Sequence, residues 1–572
     1  MQCHASRLTA VALVLFARVA WAEEPVVAPP GAAAPIEPST SAPAAPLEVA
    51  PAPLSTPAVV VPAASTPPTS DLAPRVIPVP SIPPPPPAAF ASLDAGGGVP
   101  LAGIEGGEVF LRDAQDRIRL YPSARLSLDL AATPGAPDLV GTEGAGALLG
   151  PSFYVRRALF EISGEIGARL AFTVGVELGG RRIGSPSDEA ASVGLVAMAN
   201  AHDGRLLPAD VTVSYRYRRW LNLTAGQQLL PFSSSNRTAD DAHSLPERPL
   251  AIRAFAVPWH RDLGLTVWGD AAPGEYLHYE LGVFGGDGYE HVLADALPEF
   301  AGRITSRPFH ALGEGFALSK ARIGFSARVG SRDPERVAYD LANVTTGQGW
   351  VLWQPGYLDP LGRRTHVLAS GLQRALGGEL RLPFRLPGGR VLDLQAEAYH
   401  VSNDTREAVT GFLTSNTERL GRLAGVGWYG QLSFWCCGGP VRDEAIGTVR
   451  PRHVDLDRRG SDAARGREVR RGLELVAIAS GIHARYEAAS RGGEATASSP
   501  SGDLVVYQLG GGAQYWLGRH FRGGVHYAAY LAPDAGSDAN LALMPGNVPD
   551  RSGVASGSPA MHELTVRVQA GF

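Results

Sequence analysis

From about residue 105 to the C-terminus, apolar and polar residues alternate with a period of two. Between Leu120 and Leu130, Pro122, Ala124, Leu126, Leu128 and Leu130 face one way, while Tyr121, Ser123, Arg125, Ser127 and Asp129 face the other. Leu170, Phe172, Val174, Val176 and Leu178 form another apolar row, separated by Thr173 and Glu177 and preceded by Arg169. Val211, Val213, Tyr215 and Tyr217 alternate with Thr212, Ser214, Arg216 and Arg218, and Ile323, Phe325, Ala327 and Val329 with Arg322, Ser326 and Arg328. The last strand sets Leu564, Val566, Val568 and Phe572 against Glu563, Thr565, Arg567 and Gln569. A soluble half-buried sheet gives the same alternation in any one strand. Its recurrence in segments of about ten residues points to a transmembrane antiparallel β-barrel, with one row toward lipid and the other toward a lumen.

The pattern predicts about sixteen strands, near 115–130, 153–165, 168–180, 210–219, 221–230, 262–270, 275–285, 299–307, 320–330, 376–386, 390–401, 425–436, 471–487, 503–516, 519–531 and 561–572. Short connections such as Gly164–Ala168, Arg219–Asn222, Pro387–Gly389 and Gly518–His520 alternate with long ones at 131–152, 181–209, 231–261, 331–375, 402–424 and 532–560. That asymmetry fits tight periplasmic turns and long outer loops. The connection 437–470 is long yet falls on the turn side by parity, so a strand pair could be miscounted there. Sixteen strands would enclose a water-filled lumen rather than a side-chain-filled one.

Two segments precede the barrel. Residues 1–22 read as a secretory signal: Arg7, an apolar run from Leu8 to Ala17 interrupted afterwards by Arg18, and an Ala20-Trp21-Ala22 cleavage motif. Residues 23–104 form a Pro/Ala/Val tract that ends at Pro83–Pro87 and Gly96–Gly98, and they are expected to be extended or disordered. The tract is either a periplasmic spacer or a tether to the cell wall or a partner protein. The barrel domain then covers 105–572.

Composition narrows the function classes. The chain has 572 residues, 68 Gly, 47 Pro and a formal charge of −5, too small to suggest a nucleic-acid surface. Lys320 is the one lysine, so the positive charge is almost all arginine, which grips oxyanions with two parallel hydrogen bonds. Neither the three cysteines nor the fourteen histidines fall in a metal-ligand spacing or a catalytic motif, and no GxSxG or P-loop occurs. Neighbouring Cys436 and Cys437 would point to opposite faces of a strand. The expectation is a channel with no cofactor and no catalytic residues.

Several segments together resemble the phosphate-selective porin O/P family of outer-membrane channels. They are Glu108–Asp113 with Arg117–Leu120, Phe153–Gly164, Gly226–Ser233 followed by Pro246-Glu247-Arg248, Leu277–Gly288 and Leu564–Phe572. The resemblance implies a trimeric sixteen-stranded porin whose third outer loop, here 231–261, folds inward and whose arginines draw anions to a constriction. Phosphate-selecting members also use a lysine cluster there, which this chain cannot supply.

Alternation assigns Arg125, Arg157, Arg169, Arg216, Arg218, Arg322, Arg328, Arg381, Arg385 and Arg567 to the lumen. It assigns Asp129, Glu161, Glu165, Glu177, Glu280, Glu379, Asp393, Glu397 and Glu563 there too. These acids leave open a second role for the arginines, as partners that stiffen the wall. Arg156, next to Arg157, is expected on the lipid side at headgroup level. The inward loop adds Arg237, Arg248 and Arg253, with Arg248 and Arg253 the best candidates for solute contact and Glu247–Arg248 alternatively bracing the loop. The candidate pore residues are therefore Arg125, Arg157, Arg216, Arg218, Arg237, Arg248, Arg253, Arg322 and Arg328. Three readings stay open: an anion-preferring porin for small hydrophilic solutes, with phosphate or similar oxyanions among the candidates, a general or cation-leaning porin, and a barrel that anchors the Pro-rich tether. All place the chain in the outer membrane of a Gram-negative cell, in contact with its lipid.

Overall fold

The computed structural model describes residues 101–105, 108–134, 151–178, 207–258, 260–271, 276–288, 295–313, 316, 318–337, 339, 341–342, 344–348, 351–353, 356–358, 364–409, 417–438, 447, 471–490, 501–518, 520–532 and 560–572. The predicted signal and nearly all of the Pro-rich tract lie outside these residues.

A hairpin of β1 (Ala102–Glu105) and β2 (Glu108–Arg112) leads into β3 (Ile118–Ala132), with Leu111 opposite Leu120. β1 therefore begins three residues before the expected barrel boundary. There follow β4 (Ser152–Ile166), β5 (Leu170–Leu178), β6 (Leu207–Arg218), β7 (Leu221–Leu229), β8 (Arg261–Asp270), β9 (Leu277–Phe284), β10 (Glu299–Ser306) and β11 (Arg322–Arg332). Three short pieces, β12 (Val344–Thr345), β13 (Val351–Trp353) and β14 (Gly356–Leu358), precede β15 (Arg364–Arg385). The wall then continues through β16 (Val391–Val409), β17 (Thr417–Gly438), β18 (Arg471–Ser490), β19 (Ser501–Leu517), β20 (Phe521–Leu531) and β21 (Ala560–Gly571).

Every wall strand pairs antiparallel with its neighbours. β11 pairs with β15, and β21 returns to β3 with Val566 opposite Leu130 and Arg567 opposite Asp129. Sixteen strands thus close a barrel, as the alternation predicts. β17 pairs directly with β18, so the long connection at 437–470 adds no strand to the wall.

The faces are inverted relative to a soluble barrel. Phe153, Phe325 and Leu376 stand outward and largely exposed, while Asp129, Glu280, Glu299, Arg303, Glu379, Asp393 and Glu397 are buried inside. Outward apolar and inward polar rows are what a lipid-embedded wall requires. No helix among the described residues is long and apolar enough to cross a membrane.

Three features depart from the sequence reading. β15, β16 and β17 extend well past 376–386, 390–401 and 425–436 at the loop end, so this side of the wall stands taller than β5–β10. At 22 residues, β15 and β17 are about twice the ~9–11 residues that a membrane strand needs. The residues 331–375, expected as loop, hold β12–β14 and the start of β15. Finally, Arg156 does not face lipid. Ser127 pairs with Arg157 and Leu128 with Val155, so Arg156 is the extra residue of a bulge. The bulge turns it inward beside Arg157, where it meets a carboxylate.

Candidate functional site

The β7–β8 connection, residues 230–260, folds into the lumen, as the resemblance implies. Its two ends are held in the left-handed region at non-glycine residues, Ser233 (φ 66°) and His260 (φ 57°). Asn236 ties them together: its Nδ2 donates to the carbonyls of Leu230 (3.0 Å) and His260 (3.1 Å), and its Oδ1 meets His260 Nδ1 at 3.0 Å. Ser233 Oγ accepts from Asn236 N at 3.0 Å, capping the one-turn helix α1 (Ser234–Arg237).

The opposite wall grips the loop. Glu397 on β16 accepts from the backbone N–H groups of Ser234 (3.2 Å) and Ser235 (2.8 Å), and from the hydroxyls of Tyr399 (2.9 Å) and Tyr429. Gln508 Oε1 accepts from Leu250 N at 3.0 Å and Ser480 Oγ from Ala251 N at 3.2 Å. Between these anchors Phe232, Leu250, Ile252, Phe255 and Val257 pack against Tyr399, Val401, Ile478, Ile482 and Val506. Side chains therefore fill the β16–β19 side of the lumen, where an open interior was expected. Burying each large apolar group is worth roughly 1.5–3 kcal/mol, which outweighs the loss of water-filled volume.

A second loop enters as well. Val344, Leu352 and Trp353 join the same core, Gly347 N donates to Tyr530 Oη at 2.9 Å, and Gln348 N donates to Glu563 at 3.1 Å. Arg253 bridges the two loops, reaching Thr345 Oγ1 (3.2 Å) and Tyr530 Oη (3.5 Å).

Space remains on the β3–β5 and β20–β21 side. One cavity is lined by Arg125, Arg157, Arg248, Arg261 and Arg567 with Glu177, Asp240, Asp241 and Glu247. A second is lined by Asp129, Glu247, Gln348, Tyr530, Glu563 and Arg567. Glu247 and Arg567 line both.

The loop tip is held at this junction by crossed charges. Arg156 donates from Nε and Nη2 to the two Glu247 oxygens, each at 2.9 Å, and Arg567 Nη2 meets Glu247 at 3.1 Å. Arg157 and Arg248 both pair with Asp240, and Arg125 with Asp241 at 3.3 Å. Burial pushes the Asp240 carboxyl up, but Arg157 and Arg248 outweigh it and hold it well below the usual range. Burial likewise opposes ionisation of Glu247, and Arg156 and Arg567 still draw it down to about 2. Burial and the nearby Arg248 push His243 down to about 3 and His260 well below its usual value.

Three of the nine candidate arginines, Arg125, Arg157 and Arg248, thus meet in one cavity. The others are apart from it. Arg237 is buried against Glu280 and the Leu229 carbonyl (2.6 Å), and Arg216 pairs with Glu165. Arg328 reaches the Ala256 carbonyl (3.1 Å) and Glu299 (3.2 Å), which braces the inward loop from β11. Arg322 lies beside Gly447, whose backbone N–H donates to Thr238 Oγ1 at 2.8 Å. Arg218 is exposed at the turn-end rim, its guanidinium 5.3 Å from the Tyr217 ring centre, because the register slips between Arg216 and Arg218. Arg169 and Arg385 are also exposed near turns.

Sequence reasoning missed Arg261, which takes Asp210 at 3.0 Å, and Arg303, which takes both Glu379 oxygens (2.9 and 2.6 Å) and Glu280 (3.4 Å). The signal for Arg303 was present, since outward Phe300 and Ile304 leave it on the inward row.

Similar architectures occur among solved structures. OmpT of Vibrio cholerae, expressed in the outer membrane, is 10% identical, with 81% of this chain and 100% of that chain covered and a TM-score of 0.41. The outer-membrane channel DcaP of Acinetobacter baumannii is 11% identical, with coverage of 80% and 97% and a TM-score of 0.39. Salmonella typhi OmpF is 11% identical, with coverage of 80% and 99% and a TM-score of 0.40. No curated protein sequence matches the chain. The model of the family of phosphate-selective porins O and P matches residues 148–296, from β4 through the inward loop to the β9–β10 connection, and this stretch is that of an outer-membrane porin channel.

Proposed function

We propose that the channel carries small hydrophilic solutes by passive diffusion and prefers anions. The observation that supports this is the arginine-rich cavity, where five arginines face four carboxylates and His243 stays neutral. A channel selects by the field at its narrow point, and an excess of fixed cations there favours anions. Small oxyanions fit this reading, since guanidinium binds them in bidentate fashion. Specificity for phosphate is not part of it, because the one lysine, Lys320, lies in the turn at 307–321.

A second reading, general or cation-leaning, has its own support. The neighbouring cavity sets Asp129, Glu247 and Glu563 against Arg567. In the proposed arrangement the loop end faces the cell exterior, residues 1–22 are removed on export, and 23–104 remain in the periplasm as spacer or cell-wall tether. Three copies assemble, as the family resemblance suggests. Planar-bilayer recordings test the channel itself. Conductance that grows in proportion to salt supports diffusion, and a folded barrel that gives no conductance steps would leave the anchoring role instead.

A further inference from the structure

The outward face of the tall wall, β15–β18, carries a basic belt that the channel does not use. On β15 the outward row runs Phe384, Leu382, Leu380, Gly378, Leu376 and then Arg374. On β16 it runs Leu392, Leu394, Ala396, Ala398 and then His400. On β17, Leu432, Gly430, Trp428, Val426 and Ala424 end at Arg422, and on β18, Leu475, Ala477, Ala479 and Gly481 end at His483 and Arg485. On four consecutive strands, the first polar outward residue above the apolar band is thus basic.

Register places these groups together. His400 and His483 both flank Val426, and Arg374 and Arg485 lie in one ladder row through Ser402 and Ala424. With strands ~4.8 Å apart, that row spans about 14 Å. Acids share these rows, with Asp404 and Glu487 on either side of Arg422 and Asp503 beside Arg485. Asp404 takes Arg422 Nε at 2.8 Å, Glu487 takes Arg485 Nε at 2.8 Å, and Asp503 stands opposite Arg485. Arg422 and Arg485 remain more than half exposed (55% and 63%), and each guanidinium keeps N–H donors beyond the one its acid occupies. The outward rows of β4, β9 and β10 instead end, among the described residues, at the apolar Phe153, Val283 and Phe300.

We infer that this belt binds the phosphate groups of a phosphorylated glycolipid in the outer leaflet. A doubly phosphorylated disaccharide headgroup, with acyl chains along the apolar band below, matches a basic layer at the hydrocarbon boundary. Arginine supplies planar, bidentate donors to phosphate, and the long side chains reach up from the lipid edge to the headgroup plane. The inference rests on the loop end facing outward, as in the proposed function.

Native mass spectrometry of the full chain, titrated with bisphosphorylated lipid A and with its dephosphorylated form, tests it. The wild-type barrel is expected to hold the bisphosphorylated lipid at least tenfold more tightly, and the Arg374→Gln/Arg422→Gln/Arg485→Gln variant to lose that difference with its single-channel conductance unchanged. Equal binding of the two lipids by the wild type, or an undiminished preference in the variant, overturns the inference. Displacement of the lipid by millimolar inorganic phosphate overturns the assignment to a lipid. Labelling of an Arg336→Cys variant on intact cells with an impermeant thiol reagent checks the orientation separately; protection of that residue would sink the orientation, and with it this inference, without bearing on the pore.

Discussion

Arg567 donates from Nε and Nη2 to the two carboxylate oxygens of Asp129, each at 2.7 Å, across the seam where the last strand meets the first wall strand. The two residues are register partners, so the pair closes the barrel at a single fixed alignment. Arg567 also meets Glu247 of the inward loop at 3.1 Å, so the seam and the constriction share one guanidinium. Asp129→Ala would leave a buried cation short of its main partner, and breaking such a pair costs roughly 3–5 kcal/mol. Urea titration of the folded protein in lipid vesicles checks this; a loss under about 1 kcal/mol would place the pair among exposed bridges of little worth.

The bulge at Arg156 makes an opposite-sign prediction. A lipid-facing arginine would cost ~2–4 kcal/mol near mid-bilayer, so Arg156→Leu would then stabilise the barrel. Turned inward onto Glu247, Arg156 instead holds the loop tip, and Arg156→Leu is expected to destabilise. The same titration, read for sign alone, decides between them.

Docking of the inward loop depends on its apolar side. Phe255→Ala empties space between Ala251, Gly427 and the β17–β18 wall, and large-to-small changes of this kind cost about 3–5 kcal/mol. The loop should leave the wall more often, and single-channel records should show larger and noisier conductance steps. Unchanged records would mean that Glu397, Gln508 and Ser480 suffice to hold it.

Acid should loosen the same loop. His243 is pushed down to about 3 in the docked loop, so a released loop takes up a proton near 6.5 that the docked one refuses. Docking is therefore fully stable above about pH 6.5 and weakens as the pH falls from there toward 3. His260 acts in the same direction. Glu247, held near 2, withdraws its own contribution only as the pH falls from about 4.5 to 2. Conductance noise recorded from pH 7.5 to 4.5 should rise on acidification, and rise less in a His243→Gln variant.

The strand register was legible to within a few residues wherever one row met lipid, since outward Phe, Leu and Val residues fix the parity. It failed where that contrast disappears. Above the apolar band, both faces of β15–β18 carry polar residues, outer ones such as Arg422 and Arg485 exposed and inner ones such as Glu407 buried against Tyr486, so period two carries no signal there. Arg156–Arg157 defeated strict alternation because a bulge inserts one residue without any mark in composition. The inward loop was legible as an arginine-bearing segment, but its apolar anchoring was not. Leu250, Ile252 and Phe255 find their partners on strands more than 140 residues away.

The reversal potential of the wild-type channel in a planar bilayer, under a tenfold KCl gradient, tests the central claim most directly. The arginine-rich cavity predicts a potential of the sign that marks chloride as the more permeant ion, reduced toward zero in an Arg125→Gln variant. A potential at zero or of the cation-selective sign would show that the acids beside Arg567 set the field, and would contradict the anion preference.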